Sequence, residues 1–216
     1  MDIRPEGALR VAGTIVDSPI EVLTGYVTKH GRTVREYDGG GVGDPSAIAL
    51  EDIKRTRVIA SRISQVEAEW FVDRGRTAPW VGVPGGARLA SADPDERDGL
   101  YDAGVALFDH FRGRPGVATA KISKILHLKR PGLIPILDSH LLGTYRAAAS
   151  EAARRHANPR GHERMYWAAI RDDVMDPENA ARLTSLRTEL LRSELTQPLA
   201  DLSDIRLLDI VTWKRN

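Results

Sequence analysis

The sequence contains no cysteine. That excludes disulfides, thiolate zinc sites and thiolate-ligated iron–sulfur clusters, and it suits a reducing compartment. No apolar run is long enough to span a bilayer, and the opening "MDIRPEGALRVAG" lacks the basic, apolar and cleavage regions of a secretory leader. A cytoplasmic protein with no membrane partner is expected. Neither sign of charge dominates: 31 Lys and Arg stand against 30 Asp and Glu, a formal net charge of +1. Global charge therefore says nothing about a polyanionic partner. There is no internal repeat, no coiled-coil heptad and no low-complexity tail, and neither a Gly-x-Ser-x-Gly nor a zinc-protease motif.

What is present is a globular composition. Over 216 residues, 42% are hydrophobic and 28% charged, enough for a sizeable core. The periodicity is mostly helical. Helices are predicted over 17–31, 51–63 with 64–75, 95–113, from about 117 to 129, 138–157, 162–175, 177–195 and 202–215. Asp17, Ser18 and Ser203 are candidate caps, and Gly31 a candidate stop. "VREYDGGGVGDPSAIA" (34–49) and "TAPWVGVPGGARLASADP" (77–94) read as connections, broken by Gly and Pro. Short apolar pieces such as "VGV" and "LIPIL" have strand character, but nothing assembles a sheet. The fold class expected is all-α. The chain reads as one helical domain over 1–216, with two lobes of about 1–92 and 93–216 and a site between them as a finer division.

Charge is uneven locally. Between His110 and Leu137 lie Arg112, Arg114, Lys121, Lys124, Lys129 and Arg130, with His127 and no Asp or Glu. Such a block is either an anion-binding face or a solvated surface balanced by acids from elsewhere in the fold. Inside it, a helix ends at Gly113, a Pro-Gly pair turns the chain, and a second helix begins near Val117. Gly116 can take a positive φ, and the start of the new helix offers backbone N–H groups to a phosphate. After a short apolar run comes Asp138, in "DSHL", at the start of the next helix.

"PGVATAKISKIL" followed by "IPILDSHL" resembles the signature of the helix-hairpin-helix DNA glycosylases, and its wording is similar to bacterial 8-oxoguanine-glycosylase-like proteins. Pro115, Gly116 and Val117 match the hairpin, and Asp138, Ser139, His140 and Leu141 match the tetrad that carries the catalytic aspartate. The motif covers roughly residues 111–146. The whole chain, with "EDI" early and "LSDIRLLDIVTWK" at the end, is similar to an actinobacterial domain family of unknown function. Two positions depart from the glycosylase pattern. Ala118 replaces the second hairpin glycine, and Ala120 stands where bifunctional members carry a catalytic lysine. Lys121 is the next residue and Lys124 lies one turn further on the same face.

The resemblance implies a helix-hairpin-helix glycosylase-like fold and a monomeric, nucleoid-associated enzyme on double-stranded DNA, with no cofactor or metal. Asp138 would be catalytic, with Lys124 or Lys121 adding lyase activity. Arg112, Gly113, Arg114, Gly116, Val117, Ala118, Thr119, His127, Lys129 and Arg130 would contact DNA. Trp70, Trp80, Tyr101, Phe108 and His140 would line a base pocket. Each residue has a plainer alternative. Asp138 is also a favoured N-cap; the lysines and Arg130 can be surface charges, and His140 can pack beside the cap. A non-catalytic DNA-binding protein and a helical interaction protein are the other two readings. "GGGVGD" (39–44) lacks the Lys-Ser/Thr of a phosphate loop, the histidines of "HANPRGH" (156–162) lack metal spacing, and "WVGVPGG" (80–86) is either a groove loop or a simple connection.

Overall fold

The computed structural model describes residues 5, 7–156 and 162–213. Among them the chain forms nine α-helices: α1 (Pro19–Thr33), α2 (Leu50–Thr56), α3 (Gln65–Gly75), α4 (Leu100–His110), α5 (Thr119–Lys129), α6 (Ser139–Arg155), α7 (His162–Met175), α8 (Pro177–Leu190) and α9 (Asp204–Thr212). The all-α class is correct. Among the described residues no helix is long and apolar enough to cross a membrane.

Local chemistry sets the helix starts. Ser64 opens α3 with a reciprocal box: its hydroxyl accepts from the Glu67 N–H at 3.3 Å, and its own N–H donates to Glu67 Oε2 at 2.7 Å. Asp176 accepts from the Asn179 N–H at 2.9 Å, with Pro177 at the first helical position of α8. Ser203 caps α9 through the Arg206 N–H.

Some boundaries differ from expectation. Gly31 does not stop α1, which bends at His30 and runs into a π-turn over Val34–Asp38. The 51–63 segment is α2 plus a 3₁₀ turn over Arg57–Ile59, ended by Ala60 at φ 58°. α4 and α8 are shorter than the 95–113 and 177–195 segments. Residues 157–161 and 214–216 lie outside the described residues.

A small sheet was not foreseen. Antiparallel β1 (Leu9–Val11) and β2 (Thr14–Val16) pair Leu9 with Val16 across Ala12 and Gly13, at φ 51° and 79°. The mirror-image turn suits strand twist, and alternation in "LRVAGTIV" buries one face. Asn179 of α8 holds this hairpin, accepting from the Arg10 N–H at 2.9 Å and donating to the Arg10 carbonyl at 2.7 Å. "VGV" and "LIPIL" are not strands; the first overlaps a 3₁₀ turn over Trp80–Gly82, and residues 134–138 form no regular element.

One apolar cluster runs from Leu9 to Val211, including residues on both sides of position 92. α9 is buried continuously from Ile205 to Thr212, as expected of a helix apolar on nearly every face. Connections pack tightly against this core. A Cβ on Gly132 would lie 2.8 Å from the Ala87 carbonyl oxygen, beside the Leu89 N–H to Gly132 carbonyl hydrogen bond of 2.8 Å. Backbone cannot yield as a side chain would, so Gly132→Ala will lower the unfolding free energy by about 1–3 kcal/mol in urea titration. An unchanged midpoint and slope contradict this packing.

Candidate active site

The connection from α4 to α5 is a hairpin. Gly113 and Gly116 have φ of 92° and 83°, and Val117 is buried beneath the turn. α5 begins at Ala118 with no side-chain cap and no acid in its first turn. Beyond α5 the chain dives inward. Leu133, Ile134, Ile136 and Leu137 are buried, and the Leu137 N–H donates to Ser123 Oγ of α5 at 3.0 Å. This anchored segment delivers Asp138 to a half-buried position at the start of α6.

Asp138 is the N-cap of α6. Its Oδ1 accepts from the N–H groups of His140 and Leu141 at 3.1 and 3.0 Å. Its Oδ2 takes no hydrogen bond from any described residue. The cap orients the carboxylate, while one oxygen stays available. His140 follows at once. Its Nε2 lies 3.1 Å from Thr212 Oγ1, whose proton goes to the Asp209 carbonyl at 2.7 Å; Nε2 must therefore be the donor. The imidazole also lies 5.0 Å from the Trp213 ring, which in turn is 6.1 Å from His30. Trp213 is 43% exposed, so this aromatic shelf beside Asp138 faces solvent.

Behind the shelf lies a buried charge network. Arg206 of α9 donates from Nε to Asp38 Oδ1 at 2.9 Å and from Nη2 to Asp38 Oδ2 at 3.2 Å. It also contacts Asp209 Oδ2, and its Nη2 donates to the Tyr26 hydroxyl at 3.0 Å. The π-turn brings Asp38 inward. Burial raises the Asp209 carboxyl to about 6, Arg206 pulls it back, and Asp138 pushes it up further. Lys124 is also buried, and donates to the Ile59 carbonyl at 2.7 Å. Burial lowers its ammonium pKa; Asp138 and Asp209 raise it, and Arg206 lowers it. Asp138, Lys124 and Asp209 therefore belong to one electrostatic centre.

The fold divides the basic block. Lys129 is 1% exposed, ion-paired to Asp52 at 2.6 Å and bonded to the Val42 carbonyl at 3.0 Å. Arg130 is buried over the Trp80 ring, with its donors on the Val83, Pro45 and Lys129 carbonyls. His127 is buried and donates from Nδ1 to the Ile134 carbonyl at 2.7 Å; burial lowers its pKa to about 4. These three were expected at phosphate and are instead committed inside the protein. Lys121 pairs with Glu67 at 2.6 Å, and that carboxylate also lies close under Gly116. Arg112 pairs with Asp109 at 2.8 Å, and Arg114 lies over the Trp70 ring. Acids from α2, α3 and α4 thus balance much of the block, as the plainer alternative held.

The expected pocket aromatics separate likewise. Trp80, Tyr101 and Phe108 are core residues, and Trp70 packs on Phe71 and Phe111. Only His140 reaches the Asp138 site. Sequence reasoning missed Asp38, Arg206, Asp209 and Trp213. The one available signal was Arg206 and Asp209 three residues apart within the apolar "DIRLLDIV". Among the described residues no three His, Asp or Glu are grouped to hold a metal ion.

A family described as a family of unknown function, DUF6308, matches residues 20–216. The chain belongs to that family. No curated protein and no solved structure matches.

The match to DUF6308 spans the whole charge network, whose pH behaviour is calculable in sign. Between about pH 4 and 6 the folded Asp209 keeps a proton that the unfolded chain has released. That group therefore costs stability as pH rises through the window. His127 works oppositely: neutral when folded and protonated when unfolded between about pH 4 and 6.5, it adds stability as pH rises. The two offset one another in the wild type. In Asp209→Asn the unfolding free energy, from urea titrations between pH 4 and 6.5, will rise more steeply with pH than in the wild type. Parallel profiles contradict this coupling.

Proposed function

We propose that this chain is a DNA N-glycosylase of the helix-hairpin-helix type, cytoplasmic and acting on double-stranded DNA. The observation that carries the reading is Asp138: an oriented carboxylate with Oδ2 unengaged, capping α6, the second helix after the hairpin. Cutting the bond between base and sugar builds positive charge at the anomeric carbon, and an ionised carboxylate there stabilises it or activates water. The hairpin at Gly113–Val117, the N-terminus of α5, Arg112 and Arg114 supply the phosphate-side contacts in this reading. Lys129, Arg130 and His127 take no part. The shelf of His140, Trp213 and His30 is the surface on which an extruded base stacks. Lys124, with its pKa lowered by burial, is the amine suited to attack at the same carbon and add lyase activity.

A non-catalytic DNA-binding protein is the second reading. It is favoured by the Lys124 ammonium already donating to Ile59, and by Ala118 and Ala120 in place of the expected glycine and lysine.

Asp138→Asn separates the two. Asn still caps α6 through its side-chain oxygen, so stability will move by about 0.5 kcal/mol or less. Base release is measured on duplexes carrying oxidised, alkylated, deaminated and bulky modified bases, with alkali to reveal abasic sites. Wild type will release one class, and Asp138→Asn will lose it by roughly 100-fold or more. Salt-sensitive DNA binding with no release from any duplex selects the second reading. Absence of DNA binding at low salt overturns both.

A further inference from the structure

A concavity of about 800 Å³ lies apart from Asp138 and the His140–Trp213 shelf. Its size is that of a small-molecule site. Two connections that looked like mere loops meet there, one through Gly41 and the other through Gly85 and Gly86, and the Pro131–Gly132 turn after α5 completes the wall. The glycines leave backbone accessible at close range.

The polar groups on this wall are of two kinds. Arg88 is exposed, and its side chain makes no hydrogen bond or ion pair with any described residue. Arg55 is bonded only to the carbonyls of Glu36, Tyr37 and Gly41, leaving two N–H donors and no carboxylate partner. Arg187 and Arg206 are already balanced by Asp204 and Asp38. On the acceptor side, His127 is neutral and 4% exposed. Its Nδ1 proton is used on Ile134, so Nε2 carries a lone pair with no partner. Asp201 is a second acceptor on the same wall.

Unmatched arginines facing unmatched acceptors select a ligand with an anion at one end and donors at the other. We propose that this cavity binds a small phosphate ester bearing hydroxyl or amino groups, of nucleotide size. Arg88 and Arg55 hold the phosphate, for which the guanidinium fork is matched in geometry. His127 Nε2 and Asp201 accept from the sugar or base. The site is independent of the glycosylase reading, because none of its groups is Asp138, Lys124 or His140.

The test is isothermal titration calorimetry of the intact chain with ribose 5-phosphate, adenosine monophosphate, unphosphorylated adenosine and inorganic phosphate. The two phosphate esters will bind, and adenosine and phosphate alone will bind at least about tenfold more weakly. Arg88→Ala removes a side chain with no partner in the fold and will weaken the esters by about tenfold or more. Gly86→Glu places a carboxylate where an added Cβ meets nothing within 4 Å, and will abolish binding without lowering the melting temperature. Asp138→Asn will bind as the wild type does. No heat from either ester at millimolar concentration overturns the proposal. So does binding that both Arg88→Ala and Gly86→Glu leave unchanged.

Discussion

The rest of the structure depends on one buried cation. Arg206 is buried in the first turn of the core helix α9, where a charge alone would be untenable. Two carboxylates and a phenol surround it: Asp38 from the π-turn after α1, Asp209 from its own helix, and Tyr26 from α1. Tyr26 and Tyr37 also turn ring faces toward the guanidinium. Removing one member of such a set strands the others, at about 3–5 kcal/mol. The network therefore fixes the position of α1 and its π-turn against α9, and with them part of the cavity wall.

The two sides of this network differ in character. Toward α6, Asp209 interacts electrostatically with Asp138 and Lys124, and its own pKa is raised by burial first and by the Asp138 carboxylate after it. Toward the glycine loops, Arg206 and Asp38 form part of the cavity wall, their charges already matched. Tyr37 connects the sides: its hydroxyl donates to the Lys124 carbonyl at 2.8 Å and its ring stacks on His127. An acid that was invisible as a functional residue in the sequence, Asp38, thus serves both.

The helices were legible because their caps and periodicity are local. Asp138 and Ser203 each mark a start and cap as the residue type predicts, whereas Ser18 opens α1 without a side-chain cap bond. The hairpin at Gly113–Gly116 was legible for the same reason, since positive φ and Pro-Gly are local chemistry. The β-hairpin was missed because its turn uses Ala12, which rarely takes positive φ, and because its strands are only three residues long. The site was legible at Asp138, where sequence resemblance and capping coincide. It was misread at Lys129 and Arg130, because a run of like charges carries no information on direction. Asp52 lies 77 positions from Lys129, and only the fold brings them together. Arg206 and Asp209 were passed over because ion pairs inside an apolar helix look, in one dimension, like the polar face of an amphipathic one.

In the proposed reading the hairpin and the start of α6 both meet DNA. Amide hydrogen exchange, with and without a duplex containing an abasic-site analogue, tests it directly. Protection is expected in two separate segments, 113–122 around the hairpin and 138–142 at the start of α6, and it should fade with added salt. Protection absent from both segments, or confined to another face of the molecule, would contradict it.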